Sequence, residues 1–244
     1  MHPIERLRAV ARAREVDQRY LAHEAARVLS VLGTDSMGLV TSCRRLIDRH
    51  PAAGALWWTC ARLVEARDPR AEGHRTASLF AEAVADDPVV DALALDLPER
   101  AVVAVVPDPA GGSEVVGDLR ARREDVALSE EPHIDEPTVV DGLLRAEDVR
   151  RPRILVAEAA AVGPRGALVR AGTGAAVGAV RERGAAVWLA VGPGRHLPPP
   201  LFDTVVERNQ AHEVLERSAV DRTLEPWAQT CPCPPELLRS PRGW

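Results

Sequence analysis

The residues best suited to chemistry lie in Val169-Arg170-Ala171-Gly172-Thr173 and the loops around it. Gly172 and Thr173 open a segment of helical length, Ala175 to Arg181. A helix N-terminus offers free N–H groups and partial positive charge, so it can hold a phosphate. Arg170 beside it carries a planar fork of donors suited to the same anion. Arg165 and Arg195 sit in loops expected at or near the same edge. A plainer role competes: Gly172 permits a tight turn and Thr173 caps a helix. Asp108 follows an apolar run, where carboxylates often act as acids or bases. A turn-forming Asp between Pro107 and Pro109 is the simpler role. The Gly-rich stretch Pro107 to Gly117 holds no G-x-G-x-x-G, which argues against a dinucleotide site.

Metal chemistry has little to stand on. Cys231-Pro232-Cys233 is at most half of a zinc site, which needs four ligands. Cys43 and Cys60 fall on apolar helix faces, where a thiol acts as a small hydrophobe. No metal and no cofactor is expected. All 31 basic residues are Arg, so Lys-based Schiff-base chemistry is excluded.

Two apolar runs must position the Arg170 segment. Ile154-Leu155-Val156-Ala157 precedes a Gly-rich loop, Val162 to Gly166. Ala185 to Val191 follows Gly184 and stops at Gly192-Pro193. Such runs, bounded by Gly and Pro, read as buried parallel strands, and Gly184 is placed to end the helix between them. The unit is βαβ, and its ligand would sit outside the carboxyl ends of the strands.

Over Arg153 to Pro193 the chain resembles the family of the regulatory subunits of eukaryotic initiation factor 2B, methylthioribose-1-phosphate isomerase and ribose-1,5-bisphosphate isomerase. That family carries Asn-Lys-x-Gly-Thr before a small-residue helix. Here Gly172-Thr173 is kept, Arg170 stands for the Lys, and Val169 replaces the Asn. The resemblance implies a helical N-terminal region, a Rossmann-like sheet and pairing of sheet domains into a homodimer. The isomerases rely on a Cys and an Asp. No Cys lies between Cys60 and Cys231 here, and Glu158 is about one residue out of register with the Asp. Glu158 and Asp108 are therefore only weak catalytic candidates.

The rest of the chain supplies the scaffold. Amphipathic helices are expected within residues 4–32, from Ser36 to before Pro51, from Ala53 to Ala66 and from Glu72 to Ala85. The alternating charges from Glu5 to Arg19 read as a solvated face. Ala101 to Val106 is a buried strand, followed by a helix from Ser113 to Arg122 and a short strand near Val126 to Leu128. Residues 130–137 read as an exposed loop and Val139 to Ala146 as a helix. Phe202 to Arg217 is read as helix and the Pro- and Trp-rich end from Thr223 as an irregular tail.

The fold class is α/β: an N-terminal helical bundle followed by a Rossmann-like, mainly parallel sheet domain. The expected divisions are 1–97, 98–222 and 223–244. The chain has 244 residues, 46 % hydrophobic, and a net charge of −5. That balance argues against a nucleic-acid surface. No apolar run reaches the roughly 18 residues that span a bilayer, and a cytoplasmic protein is expected. Function is read as a divergent, non-catalytic initiation-factor-2B-like protein that binds a phosphorylated small molecule, such as a sugar phosphate or nucleotide, or a protein partner. An active sugar-phosphate aldose-ketose isomerase and a structural oligomerisation module are the alternatives.

Overall fold

Two Asp-Pro steps show how the local sequence starts helices. Asp68 accepts the Ala71 N–H at 3.0 Å and Asp87 accepts the Val89 N–H at 2.8 Å, each with proline next as the first helical residue. Proline loses nothing there, since that N–H has no partner within the helix. The computed structural model describes residues 3–13, 17–32, 36–110, 114–130, 153–227 and 230–239. The loop expected after Glu130 and the helix expected at Val139 to Ala146 lie outside the described residues.

Helices α1 (Pro3–Arg12), α2 (Gln18–Leu32), α3 (Ser36–Arg49), α4 (Gly54–Glu65) and α5 (Pro69–Ala85) come first. Their apolar stripes meet in one core with Leu29, Leu46, Leu56, Trp57, Trp58 and Phe80 buried. Trp58 and Phe80 pack edge to face, with centroids 5.9 Å apart. Helix α6 (Pro88–Asp96) lies between the last bundle helix and the first strand expected from sequence. Its Val89, Val90 and Leu93 join the core of the sheet, not that of the bundle.

The sheet contains β1 (Val102–Val106), β2 (Ala127–Glu130), β3 (Ile154–Glu158), β6 (Ala186–Ala190) and β8 (Arg222–Leu224), in the order β2-β1-β3-β6-β8. Every pairing in it is parallel. The three long apolar runs read as buried strands lie side by side: Val103 pairs with Ile154, and Ile154 with Ala186. Side chains alternate between faces, which divides each apolar run in two. Val103, Val105, Val156 and Trp188 face α6 and α7 (Glu114–Arg122). Ala104, Leu155, Val187 and Leu189 face the opposite side. Helix α8 (Thr173–Arg181) covers that side with Ala176, Val177 and Val180. Both faces are covered, as continuous apolar runs require.

Three readings need correction. The Gly-rich loop is the turn of an antiparallel hairpin and the strand ends beside it, β4 (Ala161–Gly163) and β5 (Gly166–Val169). The segment from Phe202 to Arg217 is not one helix. Helix α9 (Pro199–Arg208) stops at Asn209, and Glu213–Glu216 forms β7, which pairs with β5 to make a three-stranded sheet, β4-β5-β7. The tail begins as structure: Thr223 lies in β8, the edge strand beside β6, and Pro235–Leu238 is a short helix, α10.

The small sheet explains how bundle and large sheet meet. Leu168 points into the bundle core, whereas Ala167 and Val169 face the parallel sheet. The alternation of one strand therefore joins two cores. At Gly166, φ is 151° and an added Cβ would run into the Leu215 carbonyl; only glycine permits that approach. Among the described residues, no helix is long and apolar enough to cross a membrane.

Candidate functional site at the carboxyl edge of the sheet

Strands β1, β3 and β6 end at one edge, and the chain leaves each of them through a polar residue. Asp108 follows β1, Glu158 closes β3, and Arg195 follows β6. Their exposures are 0 %, 1 % and 2 %. Arg195 donates through Nη1 to the Ala159 carbonyl at 2.7 Å and pairs through Nη2 with Asp108 Oδ2 at 3.3 Å. A Cβ on Gly192 would lie 2.9 Å from Arg195 Nε, so glycine makes room for the guanidinium.

Of the two roles weighed for Asp108 from sequence, the structure shows the turn-forming one. Its Oδ1 accepts the Ala110 N–H at 2.8 Å, the turn expected between two prolines. Its Oδ2 accepts from Gln18 Nε2 at 2.5 Å. Burial pushes the carboxyl above its ordinary range, against the pull of Arg195 and of the hydrogen bonds from Ala110 and Gln18. Neutralising such a group on folding is favourable, so its charge is a cost at neutral pH. The sign follows: the cost is full above the raised value and lifts as pH falls through it. Wild-type protein is therefore expected to gain stability relative to Asp108→Asn as pH falls from neutral toward the ordinary carboxylate range. Urea unfolding of both proteins checks this, and a difference that stays flat or shrinks with acid would count against it.

Glu158 is not directed into open space. Its Oε1 accepts the Val115 N–H at 3.3 Å, in the first turn of α7. A second helix end is engaged in the same way. Gly172, in the left-handed region at φ 89°, precedes α8. The Gly174 N–H at that end donates to Glu213 Oε1 at 2.5 Å. Thr173 is 1 % exposed and its hydroxyl donates back to the Arg170 carbonyl at 2.6 Å. Each of these two helices begins at the carboxyl edge, and each holds a carboxylate of the chain itself.

Arg170 lies half-buried at this edge, its Nη2 3.4 Å from the Asp108 carbonyl. His212 is close to both. Burial and the Arg170 charge lower its pKa, and Asp108 works in the opposite direction. Its Nδ1 is buried without a hydrogen-bond partner among the described residues. Arg165 is elsewhere. It sits at the turn of the β4–β5 hairpin, roughly 17 Å along an extended strand from Arg170, and pairs with Asp203 on the surface at 2.6 Å. The structure thus gathers Asp108, Glu158, Arg170, Gly172, Thr173 and Arg195 at one edge and leaves Arg165 out.

Sequence reasoning missed Gln18, Arg19 and Glu213. Asp17 and Arg19 belong to the run read as a solvated face, yet Arg19 is buried against Asp17, Asp87 and Asp118. Glu213 was hidden inside a misread helix. Burial pushes the Cys231 thiol up to about 12 and raises Cys60 and Cys233 as well, the direction opposite to activation. Among the described residues, no three His, Cys, Asp or Glu side chains form a group that could hold a metal.

No family model matches the sequence, and no curated protein matches it significantly. Solved structures do match its fold. The tetrameric eIF2B-beta2-delta2 complex from C. thermophilum is similar with a TM-score of 0.60 at 17 % identity, over 91 % of this chain and 88 % of that one. The Pyrococcus horikoshii OT3 translation initiation factor eIF-2B gives 0.58 at 13 %, over 80 % and 79 %. The eIF2B delta of Chaetomium thermophilum gives 0.55 at 9 %, over 92 % and 96 %. At these identities the likeness is one of fold: this chain has the eIF2B-like fold, the one its Gly172-Thr173 segment resembles in sequence.

Proposed function

We propose that this chain is a non-catalytic initiation-factor-2B-like protein that acts by associating with protein, a second copy of itself in the first place. One observation carries the reading. The carboxylates and helix ends that a sugar-phosphate isomerase needs for substrate are engaged with one another, Glu158 on the Val115 N–H, Glu213 on the Gly174 N–H and Asp108 on Arg195. A general acid or base must reach the proton it moves, and in the closed fold each of these carboxylates is turned to a partner within the chain. One fold relative is a tetrameric complex, which supports association as the working mode. The test has two arms. Purified protein should give no conversion of methylthioribose 1-phosphate or ribose 1,5-bisphosphate, and light scattering should show a dimer or larger. Turnover that disappears in Glu158→Gln would restore the isomerase reading, and a concentration-independent monomer would remove the association reading.

A second reading keeps a phosphorylated small molecule at this edge. The half-buried guanidinium of Arg170 beside His212 favours it. Thermal shift with sugar phosphates and nucleotides tests it, since a selective ligand raises apparent stability. A shift that Arg170→Ala abolishes supports it; no shift with any of these compounds rejects it.

A further inference from the structure

The N-terminal helices reach the carboxyl edge through three consecutive residues, Asp17, Gln18 and Arg19. Gln18 is 1 % exposed. Its Nε2 donates to Asp108 Oδ2 at 2.5 Å and lies 3.3 Å from the Ala160 carbonyl, and its Oε1 accepts the Ala55 N–H at 3.0 Å. One amide side chain thus holds the loop after β1, the start of the hairpin after β3, and the first turn of α4. Arg19, next in the chain, pairs with Asp17, Asp87 and Asp118 and donates to the Ala83 carbonyl at 3.3 Å. We propose that residues 17–19 form an internal latch, in which the Gln18 side chain closes the carboxyl edge of β1 and β3 and releases it by withdrawal of the first turn of α2.

Two features make this a latch and not simply more core. The first is its composition. Asp17, Asp87 and Asp118 pair with Arg19, and Asp108 pairs with Arg195. Buried ionic groups give back on opening much of the hydration they lost on folding, so a polar joint opens at less cost than an apolar one of the same size. Burial is the largest influence on both Asp87 and Asp108, in the direction that disfavours their charge. The second is position. The latch lies at a helix N-terminus, where unwinding gives up the Asp17 cap on the Arg19 N–H at 2.6 Å and the Leu21 N–H bond to the Asp17 carbonyl at 2.9 Å and leaves the later turns of the ladder in place. Behind Arg19, Leu21, Ala22 and Ala25 are buried in the bundle core, which keeps the remainder of α2 in place. Opening then exposes Asp108, Arg195 and the edge around them while the rest of the fold stays closed. The latch is a property of the chain itself and stands whatever the edge binds.

Native-state hydrogen exchange reads the latch through two amides. The Ala55 N–H is held by Gln18 and the Ala110 N–H by Asp108. Both are expected to exchange together, at least about 100-fold faster than the amides of Leu155 and Val156 in the central strand, through an opening smaller than global unfolding. Gln18→Glu places a second carboxylate against Asp108. It should speed the Ala55 and Ala110 amides further and leave the central strand unchanged. Exchange of Ala55 and Ala110 at the central-strand rate in the wild-type protein would overturn the latch. So would a Gln18→Glu variant that accelerates all four amides equally, because the contact would then belong to the global folding unit.

Discussion

Replacing Arg195 with Ala is expected to destabilise the protein by about 3–5 kcal/mol, the range for stripping one partner from a buried ion pair. Asp108 would remain with no exposure to water and without its cation. The Ala159 carbonyl would also lose its 2.7 Å donor. Lysine should rescue poorly. A single ammonium cannot reproduce the flat fork that reaches the carbonyl and the carboxylate from two nitrogens. Pairing Arg195→Ala with Asp108→Asn should recover part of the loss, because the orphaned charge is removed together with its partner. Urea unfolding of the two single variants and the double variant measures this. Additive losses would mean that the two residues do not act as a pair.

Gly54→Ala is the second large effect, expected at about 3 kcal/mol from overpacking and a weakened hydrogen bond. Gly54 opens α4 where it meets β4, and its N–H donates to the Ala160 carbonyl at 3.1 Å. A Cβ there would overlap that same carbonyl and stand 2.9 Å from the Ala161 Cβ. Backbone cannot turn aside as a flexible side chain can, so helix and hairpin would have to separate. Gly178 is the matched control. It lies inside α8 with nothing within 4 Å of an added Cβ, and Gly178→Ala should stabilise by about 0.5–1 kcal/mol through helix propensity. Equal effects at the two positions, read from denaturant midpoints, would refute the close-approach argument.

What the sequence made legible follows from what each segment needs from its neighbours. Val102–Val106, Ile154–Glu158 and Ala186–Ala190 are buried on both faces, so their apolar runs announce themselves without a partner. Arg222–Leu224 has three residues, too few for any period to appear, and becomes a strand only because β6 lies beside it. Gly163-Pro164-Arg165-Gly166 carries strong turn chemistry, which masked the short strands on either side. Glu213–Glu216 was drawn into the preceding helical pattern, although Asn209 is the residue at which that helix ends. At the edge itself, Asp108 and Glu158 could be found because a strand end gives them an address. Gln18 and Arg19 could not. Polar residues in a polar run read as solvated unless the groups that will bury them are known, and apart from Asp17 theirs lie from 37 to 142 residues away.

The carboxylates at the two helix ends have a consequence for any anion in solution. Glu213 is carried on a strand paired to β5, so it does not diffuse away from the Gly174 N–H. A tethered group acts at an effective concentration on the order of millimolar even on a short flexible linker, and a strand confines it further. A free anion must outcompete that standing concentration before it gains any contact at the helix end. Occupancy there is therefore governed by the geometry of the chain, and rises and falls little with the supply of small anions around it.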